Sequence, residues 1–247
     1  MSFALAAAPA ADAPRLGVSI LVYHRFGPTV ADAMTVRTAT FRRQLAYLAD
    51  HHYVVVPLRT VIAGLRGEAP LPSGPAVVIT ADDGHESVFT DMAPAVRERG
   101  IPVTLFIYPS AISNASYAMT WAQLGALRDT GLFEIESHTY WHPNFATEKR
   151  RLAPDAYKAF ASTQMCKSSE VLRRRLGVTP MVLAWPFGIY DEELFPIARD
   201  CGYVAGVTLE RRMAGSGDDI MALPRYLVTD TAVGARFAAM LPPEHDR

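Results

Sequence analysis

The chain carries almost no excess charge. Its 24 Lys and Arg against 25 Asp and Glu leave a formal charge of −1 over 247 residues. A basic field for nucleic-acid phosphates or an anionic membrane surface is therefore missing. Long apolar runs are missing too: half the residues are apolar, yet they never continue for the 18 or so positions that would span a bilayer. Cysteine is scarce. Cys166 and Cys201 are too few for a disulfide framework, and either pair in an oxidising compartment or stay as buried thiols. There is no internal repeat, no low-complexity linker and no second-domain boundary. The stretch 3–14 is rich in small residues, as around a signal-peptide cleavage site, although it lacks a basic start and a full apolar core. The expected layout is a flexible N-terminal segment over 1–15, one domain over 16–240 and a tail over 241–247. Export to the periplasm, envelope or exterior is the expected location.

What is present is alternation. Strand-like apolar runs fall at 18–23, 53–56, 76–80, 103–107, 133–136, 181–184 and 203–207, with another near 223–228. Helical patterns lie between them at 40–51, 58–66, 86–99, 121–128, 154–176 and 191–201. Thr40 is placed to cap the first helix, whose inward stripe is Phe41, Leu45 and Leu48. Such β-α alternation predicts a parallel sheet, and seven or eight strands predict its closure into a single α/β barrel. A doubly wound open sheet is the alternative.

Two features carry chemistry. The run Val78-Ile79-Thr80-Ala81-Asp82-Asp83-Gly84-His85 ends a buried strand in adjacent carboxylates. Left unpaired in the interior they would cost several kcal/mol each, so a cation, a metal or a shared proton is implied. A helix cap plus one solvated acid is the plain alternative. Further on, Phe133-Glu134-Ile135-Glu136-Ser137-His138-Thr139-Tyr140-Trp141-His142 runs from a strand into histidines four apart. On a helical turn both imidazoles would reach one ion. Two His and one of the acids make a set that suits Zn²⁺ with a position left for water, and that also suits nickel, cobalt or another first-row ion. The second acid would stay free as a base, which is machinery for hydrolysing an amide or ester. In a barrel, the carboxyl ends of strands are where such groups belong.

These residues resemble the polysaccharide deacetylases. Thr80-Ala81-Asp82-Asp83-Gly84 is similar to that family's Asp-Asp motif, Ser137-His138-Thr139 through His142 to its histidine motif, and Trp185-Pro186-Phe187-Gly188 to its Pro-aromatic-Gly loop. The likeness spans about residues 18 to 230. It implies a distorted (β/α)7 barrel, Asp82 as general base, and Asp83, His138 and His142 as ligands of one divalent metal ion. It also implies that the Phe187 N–H helps hold an oxyanion. Two departures stand out. Ala81 replaces the usual Phe, and Ala184 the usual Arg before the third motif, which leaves Arg225 as a candidate replacement or simply a surface arginine. No Leu-x-His follows near the C-terminus, and His245 lies in a polar tail. His24, closing the first strand in Val22-Tyr23-His24, fills that gap as the acid. In this it resembles the branch that de-N-acetylates poly-β-1,6-N-acetylglucosamine, with a structural hydrogen bond as its plainer reading.

Trp121, Trp141 and Trp185 could stack on pyranose faces, with at least one of them in the core. His85 either points into the site or sits at a helix start. Glu134 and Glu136 alternate along a strand, so at most one is expected to face the barrel interior. The expectation is a metal-dependent de-N-acetylase acting on a polysaccharide, without nucleic-acid partners. The rivals are a non-catalytic sugar-binding module and a glycoside hydrolase using Asp82 with Glu136.

Overall fold

A computed structural model describes residues 17–243. The expected N-terminal segment and His245 lie outside the described residues. In chain order the strands are β1 (Ser19–Tyr23), β2 (Arg25–Gly27), β3 (Thr35–Arg37), β4 (Val54–Val55), β5 (Ala76–Asp82), β6 (Val103–Ile107), β7 (Phe133–Ser137), β8 (Val182–Ala184), β9 (Ala205–Val207) and β10 (Tyr226–Leu227). The helices are α1 (Thr38–Asp50), α2 (Leu58–Leu65), α3 (Ala93–Arg99), α4 (Trp121–Arg128), α5 (Phe145–Arg151), α6 (Pro154–Leu176), α7 (Leu194–Asp200) and α8 (Ala235–Ala238).

The main sheet runs β10-β1-β5-β6-β7-β8-β9, every pair parallel, with β4 beside the start of β5. Its two edges meet through a parallel bridge between Leu223, just before β10, and Val207 of β9. The result is a distorted seven-stranded barrel. All seven residues of β5 are buried, as a strand covered on both faces requires. In-register partners share a face. Leu21, Ile79, Leu105 and Ile135 look outward into the core beneath the helices, while Ile20, Val78, Phe106, Val182 and Val207 look inward with Leu58, Val61 and Ile62 of α2. Each such side chain contributes roughly 1.5–3 kcal/mol when fully buried. A third cluster, around Trp185, Phe145, Tyr157 and Phe195, packs α6 and α7 onto β8. Cys166 and Cys201 form a disulfide between α6 and the end of α7.

Several expectations need correction. Helix α1 begins two residues before Thr40, with Arg37 at its N-cap, and Thr40 is buried in the first turn. The helical stretch after the acids contains a π-type turn, Val88–Met92, before α3. Pro94 has no N–H to offer one turn back, and the widened turn accommodates it. Glu134 and Glu136 stand two apart and therefore share one face, the inner one, in register with Thr104 and Phe106. The fold also continues past residue 240: Leu241 is buried and the Pro242 carbonyl accepts the Tyr53 hydroxyl at 2.8 Å. The ribbon of β2 and β3 is not legible in the sequence, since each strand has three residues and no period.

Candidate active site

Strand β5 delivers Asp82 as its last residue, and the chain then turns through Asp83 at φ 74° and Gly84 at φ 71°. This turn separates the two carboxylates, although both stay near His138, whose Nε2 lies 3.8 Å from Asp82 Oδ2. Asp82 is buried, and its oxygens accept from the Arg225 Nη1 and Nη2 atoms at 2.8 and 2.7 Å. Arg225 is itself fully buried. It donates Nε to the Thr208 carbonyl and Nη1 to the Thr80 hydroxyl, and stands over the Phe106 ring. The structure thus places Arg225 in the barrel interior, not on the surface. Burial alone would raise the Asp82 pKa, but the Arg225 guanidinium, with His138 and His24, outweighs it and holds the group down to about 2. Asp83 has no such bidentate cation, and burial pushes it above the ordinary carboxylate range.

After β7 the chain does not enter a helical turn. Thr139 and His142 both take left-handed backbone, at φ 64° and 62°, and this irregular loop brings the two imidazoles together with ring centroids 4.5 Å apart. His138 Nδ1 donates to the Ala184 carbonyl at 2.8 Å. A carbonyl can only accept, so the proton sits on Nδ1 and Nε2 presents its lone pair to the site. Nε2 of His138 is 3.6 Å, and Nε2 of His142 3.7 Å, from Asp83 Oδ1. Donors about 2.0–2.2 Å from a tetrahedral ion lie roughly 3.4 Å apart, so the trio has the spacing and the donor chemistry of a divalent-metal site. Burial lowers both histidines, His138 to about 3, which keeps them neutral as ligands must be. Four of the six non-glycine residues at positive φ among the described residues, Asp83, Thr139, His142 and Phe187, cluster here. Each costs of the order of 1–3 kcal/mol, the kind of strain that functional sites retain.

His24, between β1 and β2, is buried, and its Nδ1 has no partner. It acts electrostatically on both Asp82 and Asp83. Phe187 is exposed, with its ring 4.4 Å from that of His142. Trp185 does not belong to a substrate rim. It is fully buried, its Nε1–H satisfied by the Met221 carbonyl at 2.7 Å, as a large apolar ring with one polar atom demands. Trp141 remains exposed, edge-on to Phe160. His85 stacks on Tyr117 and pairs through Nδ1 with Ser87, whose hydroxyl also accepts the Phe26 N–H. Glu136 accepts the backbone N–H groups of Met181 and Val182, at the start of β8, and lines the cavity there and not the Asp82 mouth, against a two-carboxylate glycosidase. Sequence reasoning misses Tyr108, which packs on His142 and is bonded to Tyr117. Its place directly after β6, at the same barrel end, is the available signal.

Comparison with solved structures places this fold among deacetylases. The Streptococcus pyogenes deacetylase PplD, in complex with acetate, superposes with a TM-score of 0.80 at 20% identity, over 93% of this chain and 100% of that one. IcaB from Ammonifex degensii gives a TM-score of 0.80 at 25% identity, over 91% and 96%. The polysaccharide deacetylase family model matches residues 71–206, more than half of the chain, and the chain belongs to that family. Among curated relatives, the poly-beta-1,6-N-acetyl-D-glucosamine N-deacetylase of Escherichia coli is 25% identical over an alignment 264 positions long, which covers 92% of this chain and 39% of that protein. The Staphylococcus aureus protein of the same name is 23% identical over 203, covering 80% and 69%. The chain thus spans about two fifths of the E. coli relative's length.

Proposed function

We propose that this domain is a metal-dependent de-N-acetylase that hydrolyses acetamide groups of an N-acetylglucosamine-containing polysaccharide, releasing acetate and a free amino sugar. One observation carries the reading. A ligand trio with metal spacing, Asp83, His138 and His142, stands beside a second carboxylate that Arg225 keeps ionised and outside the trio. A divalent ion in the trio, zinc or another first-row metal, would polarise the acetamide carbonyl and acidify water. Asp82 then serves as the base that takes the proton of the attacking water, and Arg225 orients it. The Phe187 N–H, in a loop that directly follows β8, helps hold the oxyanion. His24 protonates the leaving amine. It directly follows β1, at the barrel end that carries Asp82 and Asp83, which supports this role.

The relatives named as poly-beta-1,6-N-acetyl-D-glucosamine deacetylases support the choice of polymer. Export is proposed with it, supported by the Cys166–Cys201 disulfide, since such bridges persist in oxidising compartments. No helix among the described residues is long and apolar enough to cross a membrane.

Metal analysis separates the roles. The wild-type chain and Asp82→Asn should each hold about one ion per chain, while Asp83→Asn and His138→Ala lose it. Equal metal loss in both aspartate variants would overturn the division of labour.

A further inference from the structure

Strands β7 and β8 are joined by a single ladder position, Ser137 opposite Leu183. Toward their amino-terminal ends they diverge around an open cavity of about 770 Å³ lined by Phe133, Glu134, Glu136, Met181 and Val182. One side chain spans that gap. Glu136 Oε2 accepts the backbone N–H of Met181 at 2.7 Å and of Val182 at 2.8 Å, standing in for the missing ladder. On the other side of Ser137–Leu183, the next link is His138 Nδ1–H to the Ala184 carbonyl. The seam therefore consists of three consecutive links, made by Glu136, Ser137 and His138 to residues 181–184. Beyond it, β8 leads directly into the loop that carries Phe187.

We propose that Glu136 is a positioning residue for this site: by fixing β8 against β7 it sets the Ala184 carbonyl that orients His138 as a ligand, and with it the start of the Phe187 loop. The proposal rests on His138 being a metal ligand. The carboxylate makes no contact with the trio and acts through backbone alone. An acceptor oxygen at the right reach is what the role requires. Glutamine supplies one, methionine does not, and aspartate is one methylene short.

Co²⁺ titration of the full chain, followed by its visible absorption, tests this without reference to turnover. If wild type fails to bind Co²⁺, the metal reading itself fails; the difference between variants tests Glu136. Glu136→Met should weaken Co²⁺ binding, by as much as the roughly 10- to 100-fold that loss of a ligand's own outer partner costs, at temperatures where unfolding remains cooperative. It should also lower kcat with little change in KM. Glu136→Gln should bind within a few-fold of wild type. Glu134→Gln, on the same strand face but paired to Arg59 and Thr104, should leave the metal unaffected. Should Glu136→Met not fold, Glu136→Asp carries the same expectation of weakened binding. Should neither fold, a loss of about 10-fold or more in Glu136→Gln overturns the proposal. Wild-type affinity in Met or Asp, a loss in Gln as large as in Met, or an equal loss in Glu134→Gln would each overturn the proposal.

Discussion

Asp82 and Asp83 are adjacent and chemically identical, and their surroundings pull them apart. Arg225 binds both oxygens of one, while the other turns to two neutral imidazoles. Removing the cation should undo the difference. Arg225→Met leaves a buried carboxylate unpaired, and breaking such a pair typically costs about 3–5 kcal/mol. The Asp82 pKa then rises, so the acid limb of the kcat/KM profile should move to higher pH; an unmoved limb would mean that Arg225 does not keep the base ionised. The same pair sets a pH window for stability. The Asp82 carboxyl titrates near 3.8 when the chain is unfolded and at about 2 when it is folded. Its contribution, roughly 2 kcal/mol, is therefore complete above the unfolded value and disappears as pH falls through the folded one. For His24, replacement by Ala should cut kcat on an acetamide by about 10²–10⁴ with metal content unchanged. An activated acetate ester, whose leaving group needs no proton, should lose much less. Equal losses on both substrates would assign His24 a structural role.

At the scale of elements, the disulfide makes the clearest prediction. It closes a loop of 35 residues between α6 and the end of α7, and the chain entropy it removes from the unfolded state is worth about 3–4 kcal/mol. Urea unfolding of Cys166→Ser against the oxidised parent should show a deficit of that order, and coincident curves would contradict it. The legibility of elements follows their length and pattern. Strands β5 and β6 are readable because burial on both faces leaves a continuous apolar run, and β7 and the long α6 because burial on one face leaves a periodic trace. The ribbon of β2 and β3 leaves none. The loop from His138 to His142 reads as a helical turn because nothing in the residue types of Thr139 and His142 announces left-handed backbone. Arg225 cannot be placed from local pattern, since it meets Asp82 across 143 positions of chain only when the barrel closes. Trp185 is misread for the converse reason: its position beside a functional loop says nothing about the Met221 carbonyl that lets it be buried.

In the whole molecule, one end of the barrel gathers the chemistry. His24 follows β1, Asp82 and Asp83 end β5, Tyr108 follows β6, His138 follows β7 and Phe187 follows β8, so parallel strands place five loop starts around a single mouth. The hydrophobic interior beneath fixes their spacing, and the bound carboxylate–guanidinium pair caps that interior. Around the mouth, Phe187 and Trp141 stay exposed, available to the face of a sugar ring. The central claim is that this mouth removes acetyl groups with the help of a divalent ion. Acetate release from β-1,6-linked N-acetylglucosamine oligomers, measured before chelation, after exhaustive chelation and after readdition of Zn²⁺ or Co²⁺, tests it most directly. The account predicts release that chelation abolishes and the metal restores, with Asp82→Asn inactive throughout. Full acetate release from the chelated protein, or none from the metal-loaded protein on any N-acetylglucosamine oligomer, would contradict it.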